Sequence, residues 1–550
     1  MRYLKKHPLL LLTLICVAIF MTHLDALWVN IMEARNFVTA REMLLDSNWL
    51  LTTLNGEPRY QKPPLPTWLS AVSAFLFGIK SVFAMRLPAA LVSVTMVLIT
   101  YVFTKKLTNN NTYAFISSLI LATSFYIIFS GRNGQWDIFT HGFMMAAIYQ
   151  LYLFFSTQEK KYQRIIIAAL FFGCSFMSKG PVSLYALLLP FLIAYGIVFK
   201  FKKQKNTILP ILLFLIIAFL VSGWWHVYTY LLDPEKVIAT TTKETANWTS
   251  YNIRPFYYYW SFFSQSGIWC IPAFIALLYP YLKDKVFFKK GYQFTLLWTL
   301  ISVLLLSIIP EKKSRYLLPV LIPMALNTGF YIEYLFRNFK TIKDKRETIP
   351  VYFNFGIIAF IGITTPVIGY LFLEKTPTTP WIWYIVLSIV LCAIGVLIIQ
   401  QLKKKEIKGV TYLTVAFIVS AICFGMPLAT STLVNKDYKS FTELKKWQDK
   451  TTISVYEFTY FTPEIIWNYG QTIPVLKKMD SIHIPATNTF GLLVGKEDIT
   501  LFETTFKDYQ KQKIARYDIN PYPTDSKKHR TRLWRYFYII KKLTAPAPRY

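Results

Sequence analysis

The sequence predicts an all-α polytopic membrane protein that carries a small α/β domain at its C-terminal end. Three observations point there. Of the 550 residues, 54% are hydrophobic, too many for a soluble globule. Uncharged runs long enough to cross a bilayer recur as far as residue 430. From about residue 435 those runs stop and period-two patterns begin.

About 13 transmembrane helices are expected, at 8–25, 84–103, 112–130, 137–156, 164–178, 181–199, 208–231, 266–282, 291–309, 317–336, 350–373, 380–400 and 409–430. The first follows Arg2, Lys5 and Lys6 and lacks a small-x-small cleavage site, so it reads as a retained anchor. The apolar piece 65–79 is too short to cross and is expected as a re-entrant or interfacial segment. The domains are then 1–434, a membrane unit including the loop 26–83, and 435–550, a small soluble unit. In the latter, ISVYEF at 453–458 and RLWRYFYII at 532–540 alternate like strands, and SFTELKKWQ at 440–448 reads as a helix.

The formal net charge of +31 could suggest a nucleic-acid partner. Its placement argues against one. With the N-terminus in the cytoplasm, the N-terminal residues and the clusters at 105–106, 159–164, 200–205, 283–290, 337–347 and 403–408 all fall inside and hold about 25 Lys and Arg. That is the positive-inside pattern of a protein whose surroundings are membrane lipids. The C-terminus then lies outside, with the segments 26–83, 131–136, 232–265 and 310–316. The five cysteines fall in apolar runs without metal-ligand spacing and read as small buried hydrophobes.

The loop 26–83 is unusually charged. Arg35, Thr39, Glu42 and Asp46 recur at helical spacing, which predicts a short amphipathic helix in the plane of the membrane surface. Arg59 and Lys62 follow, the latter before Pro63-Pro64. Elsewhere on the outer side, Asp137 opens a span. Lys179 sits in a tight SKGP turn, where a lysine runs against the positive-inside bias. An anionic ligand would explain Lys179; so would a nearby carboxylate such as Asp137. The loop 310–319, PEKKSRYLLP, gathers Lys312, Lys313, Arg315 and Tyr316, donors suited to a phosphate. Arg254, ahead of the aromatic run 256–260, could join them; a headgroup-level aromatic belt would also explain that run. Cations that hold a phosphate, beside carboxylates that orient or deprotonate a hydroxyl, are equipment for group transfer from a lipid phosphate. No Gly-rich phosphate loop, HExxH or GxSxG motif is present.

MEARNFVTAREML, DSNWLLTTLNGEPRYQKPPLPTW, the G-I-K-S-x-F-A-M-R-L-P stretch at 78–88, Asp137 in its span, the SKGP turn and KKSRYLLPVLIP follow one another over about the first 340 residues. Together they resemble the GT-C class of membrane glycosyltransferases, the superfamily of protein O-mannosyltransferases and of the aminoarabinose transferases that modify lipid A. The resemblance implies a GT-C fold in a bacterial inner membrane. It implies inverting transfer of a sugar from a polyprenyl-phosphate donor, at the outer (periplasmic) face, to a lipid, glycan or protein acceptor. It also implies donor-phosphate contacts by Lys62, Arg254 and Tyr316, with Lys179 matching the family's K-G-P lysine. Arg35, Arg59, Lys312, Lys313 and Arg315 complete the expected substrate-binding set. One position departs: Met32 stands where the family has the aspartate often taken as catalytic. Glu33, one residue on, or Asp137 could replace it, or an acceptor already ionised at neutral pH could need no base. Gln61 likewise stands where some aminoarabinose transferases carry Glu. No cofactor is implied, and a divalent metal held by scattered carboxylates stays open. Two other readings stand beside this one: a lipid-linked sugar flippase, which the one-sided charges and lack of repeated halves disfavour, and a non-catalytic envelope assembly protein, which the Met32 departure keeps open.

Overall fold

In the computed structural model the described residues are 7–157, 159–201, 208–373, 379–429, 435–478 and 481–543. The expected inside charges Arg2, Lys5, Lys6, Lys202, Lys203 and Lys205, and the domain boundary at residue 434, lie outside them.

Helices are long where apolar sequence is uninterrupted. Among the described residues seven helices are long and apolar enough to cross a membrane: Val82–Thr108, Asp137–Ser156, Ile208–Leu232, Lys289–Ile308, Lys345–Phe372, Trp381–Lys403 and Ile407–Leu428. Their ends follow ordinary capping. Ser81 accepts from the Ala84 amide at 3.2 Å at the start of Val82–Thr108. Lys105 and Lys106 occupy that helix's last turn, and Asn109 ends it in the left-handed conformation.

The other expected spans coincide with shorter or broken helices, each with a local cause. Pro8–Phe20 and Lys161–Lys179 are intact. The expected span 112–130 is Asn111–Thr123 and Phe125–Gly131, bent by 65° at Ser124, whose ψ of 131° is extended. The region 266–282 is a 3-10 stretch, Phe262–Trp269, followed by Cys270–Ala276 and Tyr279–Leu282. Gly267 breaks it with a φ of 68°. A Cβ there would stand 3.0 Å from that of Phe125, so the two broken regions meet at the glycine. The region 181–199 holds a π-turn, Leu184–Leu188, ahead of Leu189–Val198. The region 317–336 begins as a 3-10 turn, Ser314–Val320, and continues as Leu321–Asn338.

Buried aromatics fill the bundle. Phe191, Phe294 and Trp298 pack edge to face beside Phe103, and the Trp298 indole donates to the Leu187 carbonyl at 3.0 Å. Ile208–Leu232 is instead a mostly exposed apolar rod, with Phe219 and Leu231 facing outward, as a lipid-facing helix must be.

The loop 26–83 contains the helix Ile31–Leu45, which corrects the expectation of an amphipathic surface helix. Every residue from Asn36 to Met43 is buried. Its polar face is internal and partnered rather than solvated. Glu42 receives the Thr53 hydroxyl at 2.6 Å and the Asn55 and Gly56 amides at 2.7 and 3.3 Å. It thereby closes a hairpin of β1 (Thr53–Leu54) and β2 (Glu57–Pro58), whose Asn-Gly turn has positive φ at both residues. The segment 65–79 forms the helix Leu65–Phe77. It packs on its neighbours and exposes Phe75, Leu76 and Phe77 at one end, the character of an interfacial helix.

The tail folds as a four-stranded sheet with helices. The expected helix is Phe441–Thr451, capped by Ser440. The two expected strands are β3 (Val455–Glu457) and β8 (Trp534–Lys542), joined by β6 (Thr489–Val494) and β7 (Tyr509–Asp518) in the order β3-β6-β8-β7. β3 runs parallel to β6, and the other pairs are antiparallel. A two-stranded ribbon, β4 (Lys477–Lys478) with β5 (Ser481–Ile482), lies beside it. The domain rests on the first loop. Val38 belongs to its core with Phe441, Ile465 and Phe537. Asn55 exchanges two hydrogen bonds of 2.8 Å with the backbone of Ile473. Arg41 donates to the carbonyls of Ile466 and Trp467 at 3.1 and 3.4 Å.

Candidate active site

Two loops and two helix ends bring most of the expected residues together. Asp137 opens one helix and Lys179 closes the next. These two helices pack closely, and their side chains form a largely buried ion pair. The Lys179 ammonium stands 5.1 Å from the centroid of the Tyr316 ring. The Tyr316 hydroxyl donates to Glu311 at 3.0 Å, and Glu311 also pairs with Lys313 at 2.6 Å. Burial, and then the Glu311 charge, push the Tyr316 hydroxyl well above its ordinary value, so it remains a proton donor. Arg315 lies over the same ring and within electrostatic reach of Asp137; its Nε is buried without a partner among the described residues. Lys62 is close enough to Lys179 to repel it and pairs with Glu244 at 3.3 Å, both partly exposed. Four cations, Lys62, Lys179, Lys313 and Arg315, thus face three carboxylates, Asp137, Glu244 and Glu311. The surplus is positive, and Tyr316 lies among the cations. Such a set can receive a phosphate by trading internal pairs for contacts to its oxygens.

Five expected residues are placed differently. Glu33 is fully buried and its carboxylate is spent on structure. It forms a two-pronged pair with Arg86 at 2.6 and 3.0 Å, accepts the Gly134 amide at 3.0 Å and closes a capping box with Asn30. Lys312 is buried, its ammonium bound to the carbonyls of Ile309 and Arg254 at 2.6 and 3.1 Å; it staples two loops. Arg59 is a strut: its guanidinium donates to Thr39 at 3.1 Å and the Arg35 carbonyl at 3.4 Å and covers the Trp136 ring. Arg254 is exposed. Its amide donates to the Pro310 carbonyl at 3.2 Å, which sets the aromatic run beside the 310–316 loop, while its side chain lies over Tyr258. Arg35 is half-buried, and its guanidinium hydrogen-bonds one side-chain atom among the described residues, the Met32 sulfur at 3.9 Å. Met32 and Arg35 therefore sit together on one turn.

Sequence reasoning missed Glu244 and the structural role of Arg86. Glu244 lies 182 residues from Lys62, in an exposed helix, Pro234–Ser250, with no motif to mark it. Among the described residues no three His, Cys, Asp or Glu side chains converge as a metal-binding set.

Residues 61–225 match the family described as dolichyl-phosphate-mannose-protein mannosyltransferase. An undecaprenyl phosphate-alpha-4-amino-4-deoxy-L-arabinose arabinosyl transferase of Proteus mirabilis is 26% identical over 318 residues, 55% of this chain and 55% of its own length. The chain spans less than two thirds of the length of the first curated relatives it matches. The crystal structure of ArnT from Cupriavidus metallidurans in the apo state superimposes with a TM-score of 0.67 at 14% identity, covering 96% of each chain. Its form bound to undecaprenyl phosphate gives 0.64 at 13% identity, covering 96% of this chain and 97% of that one. The matched segment contains Lys62, Asp137 and Lys179, and the likeness of fold runs nearly end to end. The chain is thus similar to ArnT in fold along nearly its whole length, and to the dolichyl-phosphate-mannose-protein mannosyltransferase family in residues 61–225.

Proposed function

We propose that this protein transfers a sugar from a polyprenyl-phosphate donor to an acceptor at the outer face of a bacterial inner membrane. The N-terminus is then cytoplasmic and the tail from about residue 435 periplasmic. The observation that carries the reading is the surplus of cations around Tyr316 and Asp137, at the ends of helices that can cross a membrane. Lys62, Lys179, Lys313, Arg315 and Tyr316 hold the donor phosphate. The acceptor oxygen attacks the anomeric carbon, the bond from that carbon to the phosphate oxygen breaks, and the lipid phosphate leaves with the electron pair. The cations stabilise the charge gathering on it. Asp137, rather than Glu33, is the carboxylate beside the reacting sugar, and it orients or deprotonates an acceptor hydroxyl. The names of the curated relatives, and the undecaprenyl phosphate bound in a protein of the same fold, support this donor class.

A second reading of the acceptor is favoured by Arg35. A half-buried guanidinium whose side-chain hydrogen-bond partner among the described residues is the Met32 thioether, with the Arg59 cation close by, suits an anionic acceptor, which brings its own nucleophilic oxygen and needs no base. The test is transfer from undecaprenyl-phosphate-linked sugars by the purified protein, with hydroxyl and phosphate acceptors compared. No transfer from any such donor, by protein that binds undecaprenyl phosphate, would overturn the enzyme reading.

A further inference from the structure

A cavity of about 450 Å³ lies between the chain just after the first helix (25–31) and the loop 519–533 of the C-terminal domain. None of the cationic cluster around Tyr316 lines it. Its volume is that of a small-ligand pocket. Four aromatic side chains form its flat walls. Trp28 from the membrane unit and Tyr438 from the tail stand 5.3 Å apart, centroid to centroid, and Trp467 and Tyr522 add two more faces.

The polar groups are unevenly satisfied. Glu464, a lining residue only 4% exposed, pairs with Arg532 at 2.6 Å through one oxygen. Its other oxygen is buried without a hydrogen-bond partner among the described residues. A buried acceptor left in this state costs free energy that a hydroxyl or amine donor would recover. Lys528 and Arg530 also line the pocket and are exposed. With Arg532 they set three cations against the two carboxylates Asp25 and Glu464.

We propose that this seam binds an anionic saccharide: a hydroxylated ring carrying a phosphate or a carboxylate. The aromatic faces take the apolar face of the ring, Glu464 takes a ring hydroxyl or amine, and the surplus cations take the anion. Because the two walls come from the two units, such a ligand would also bridge the membrane bundle and the tail. The inference does not depend on the donor chemistry proposed above.

The test uses the full chain in phosphatidylcholine nanodiscs. Glucosamine 6-phosphate is titrated in, with glucosamine and inorganic phosphate as half-ligands. A second arm places phosphatidylinositol 4-phosphate in the disc, so that a lipid headgroup is told apart from a free sugar. Saturable binding of at least one phosphorylated ring is expected, tighter than either half-ligand. It should weaken tenfold or more in the double variant Lys528→Ala/Arg530→Ala, whose side chains are exposed and whose loss should leave the unliganded melting temperature unchanged. Trp28→Ala should weaken it too. Lys62→Ala, in the other cluster, should not. Absence of binding by both phosphorylated rings, equal binding by inorganic phosphate, indifference to the Lys528/Arg530 change, or loss on Lys62→Ala would each overturn the proposal.

Discussion

Arg86 grips both oxygens of Glu33 at 2.6 and 3.0 Å, with each side chain almost wholly out of contact with solvent. A buried pair of this kind is strongly destabilised when one partner is lost, because the other charge is left uncompensated, by about 3–5 kcal/mol. Glu33→Ala should therefore lower the melting temperature of the purified protein and its yield. A well-folded Glu33→Ala protein that has lost only turnover would instead return Glu33 to the role of base.

Asp137→Asn should lower the melting temperature, because it leaves the largely buried Lys179 without its counter-charge, and the protein that does fold should lose most transfer to a hydroxyl acceptor. A general base contributes about 10²–10⁴-fold, so a drop of that size in single-turnover rate is expected, with donor binding kept. If the acceptor is ionised, the loss should be much smaller. Comparing the two acceptor types in this one variant separates the mechanisms.

Lys62→Ala should weaken donor binding with little effect on stability. Its bridge to Glu244 is partly exposed, and pairs of that sort are worth about 0–1 kcal/mol. A hydrogen bond to a phosphate is worth about 1.5–3 kcal/mol, or roughly ten- to a hundred-and-fifty-fold in affinity. Tyr316→Phe should cost less, since it removes one neutral donor. Undecaprenyl phosphate binding by both variants at the parent affinity would sink the phosphate clamp.

The C-terminal domain should be more stable in mild acid. Burial pushes the Glu457 carboxyl up to about 7, against the opposing pull of Arg535, from an ordinary value of 4.5. A folded value above the unfolded one means that the folded state binds the proton more tightly. The stability from this group is complete below about 4.5 and is lost as pH rises through about 7. Hydrogen exchange in β6 of the full chain should therefore quicken between pH 5 and pH 8, and Glu457→Gln should flatten that dependence. An unchanged profile in the variant would assign the effect elsewhere.

Apolar and period-two runs made most of the helices, the tail helix and two of the four strands of the tail sheet legible in the sequence, because each depends on neighbours a few positions away. The breaks at Ser124 and Gly267 were not, because they arise where two distant segments touch. The site divides along the same line. Lys62, Asp137, Lys179 and Tyr316 stood out as ionisable or polar groups on the side of the membrane where basic residues are scarce. What the charges do there was hidden. Glu33 looks like a catalytic group and Lys312 like a phosphate ligand in one dimension, and only their partners, Arg86 at 53 residues' distance and the Arg254 carbonyl at 58, reveal them as supports. Glu42, read as the wet face of a surface helix, proved to be the anchor of a buried loop.

Asn55 and Arg41 hydrogen-bond the tail at main-chain atoms, those of Ile473, Ile466 and Trp467, and Arg41 also stands over the Trp467 ring. Such a latch reads the path of the tail's backbone and is largely blind to the identity of its residues. The tail's side chains away from Trp467 and the Val38 cluster are thus free to drift while the domain keeps its seat. This accords with a likeness of fold that covers 96% of the chain where recognisable sequence similarity to an aminoarabinose transferase covers only 55%.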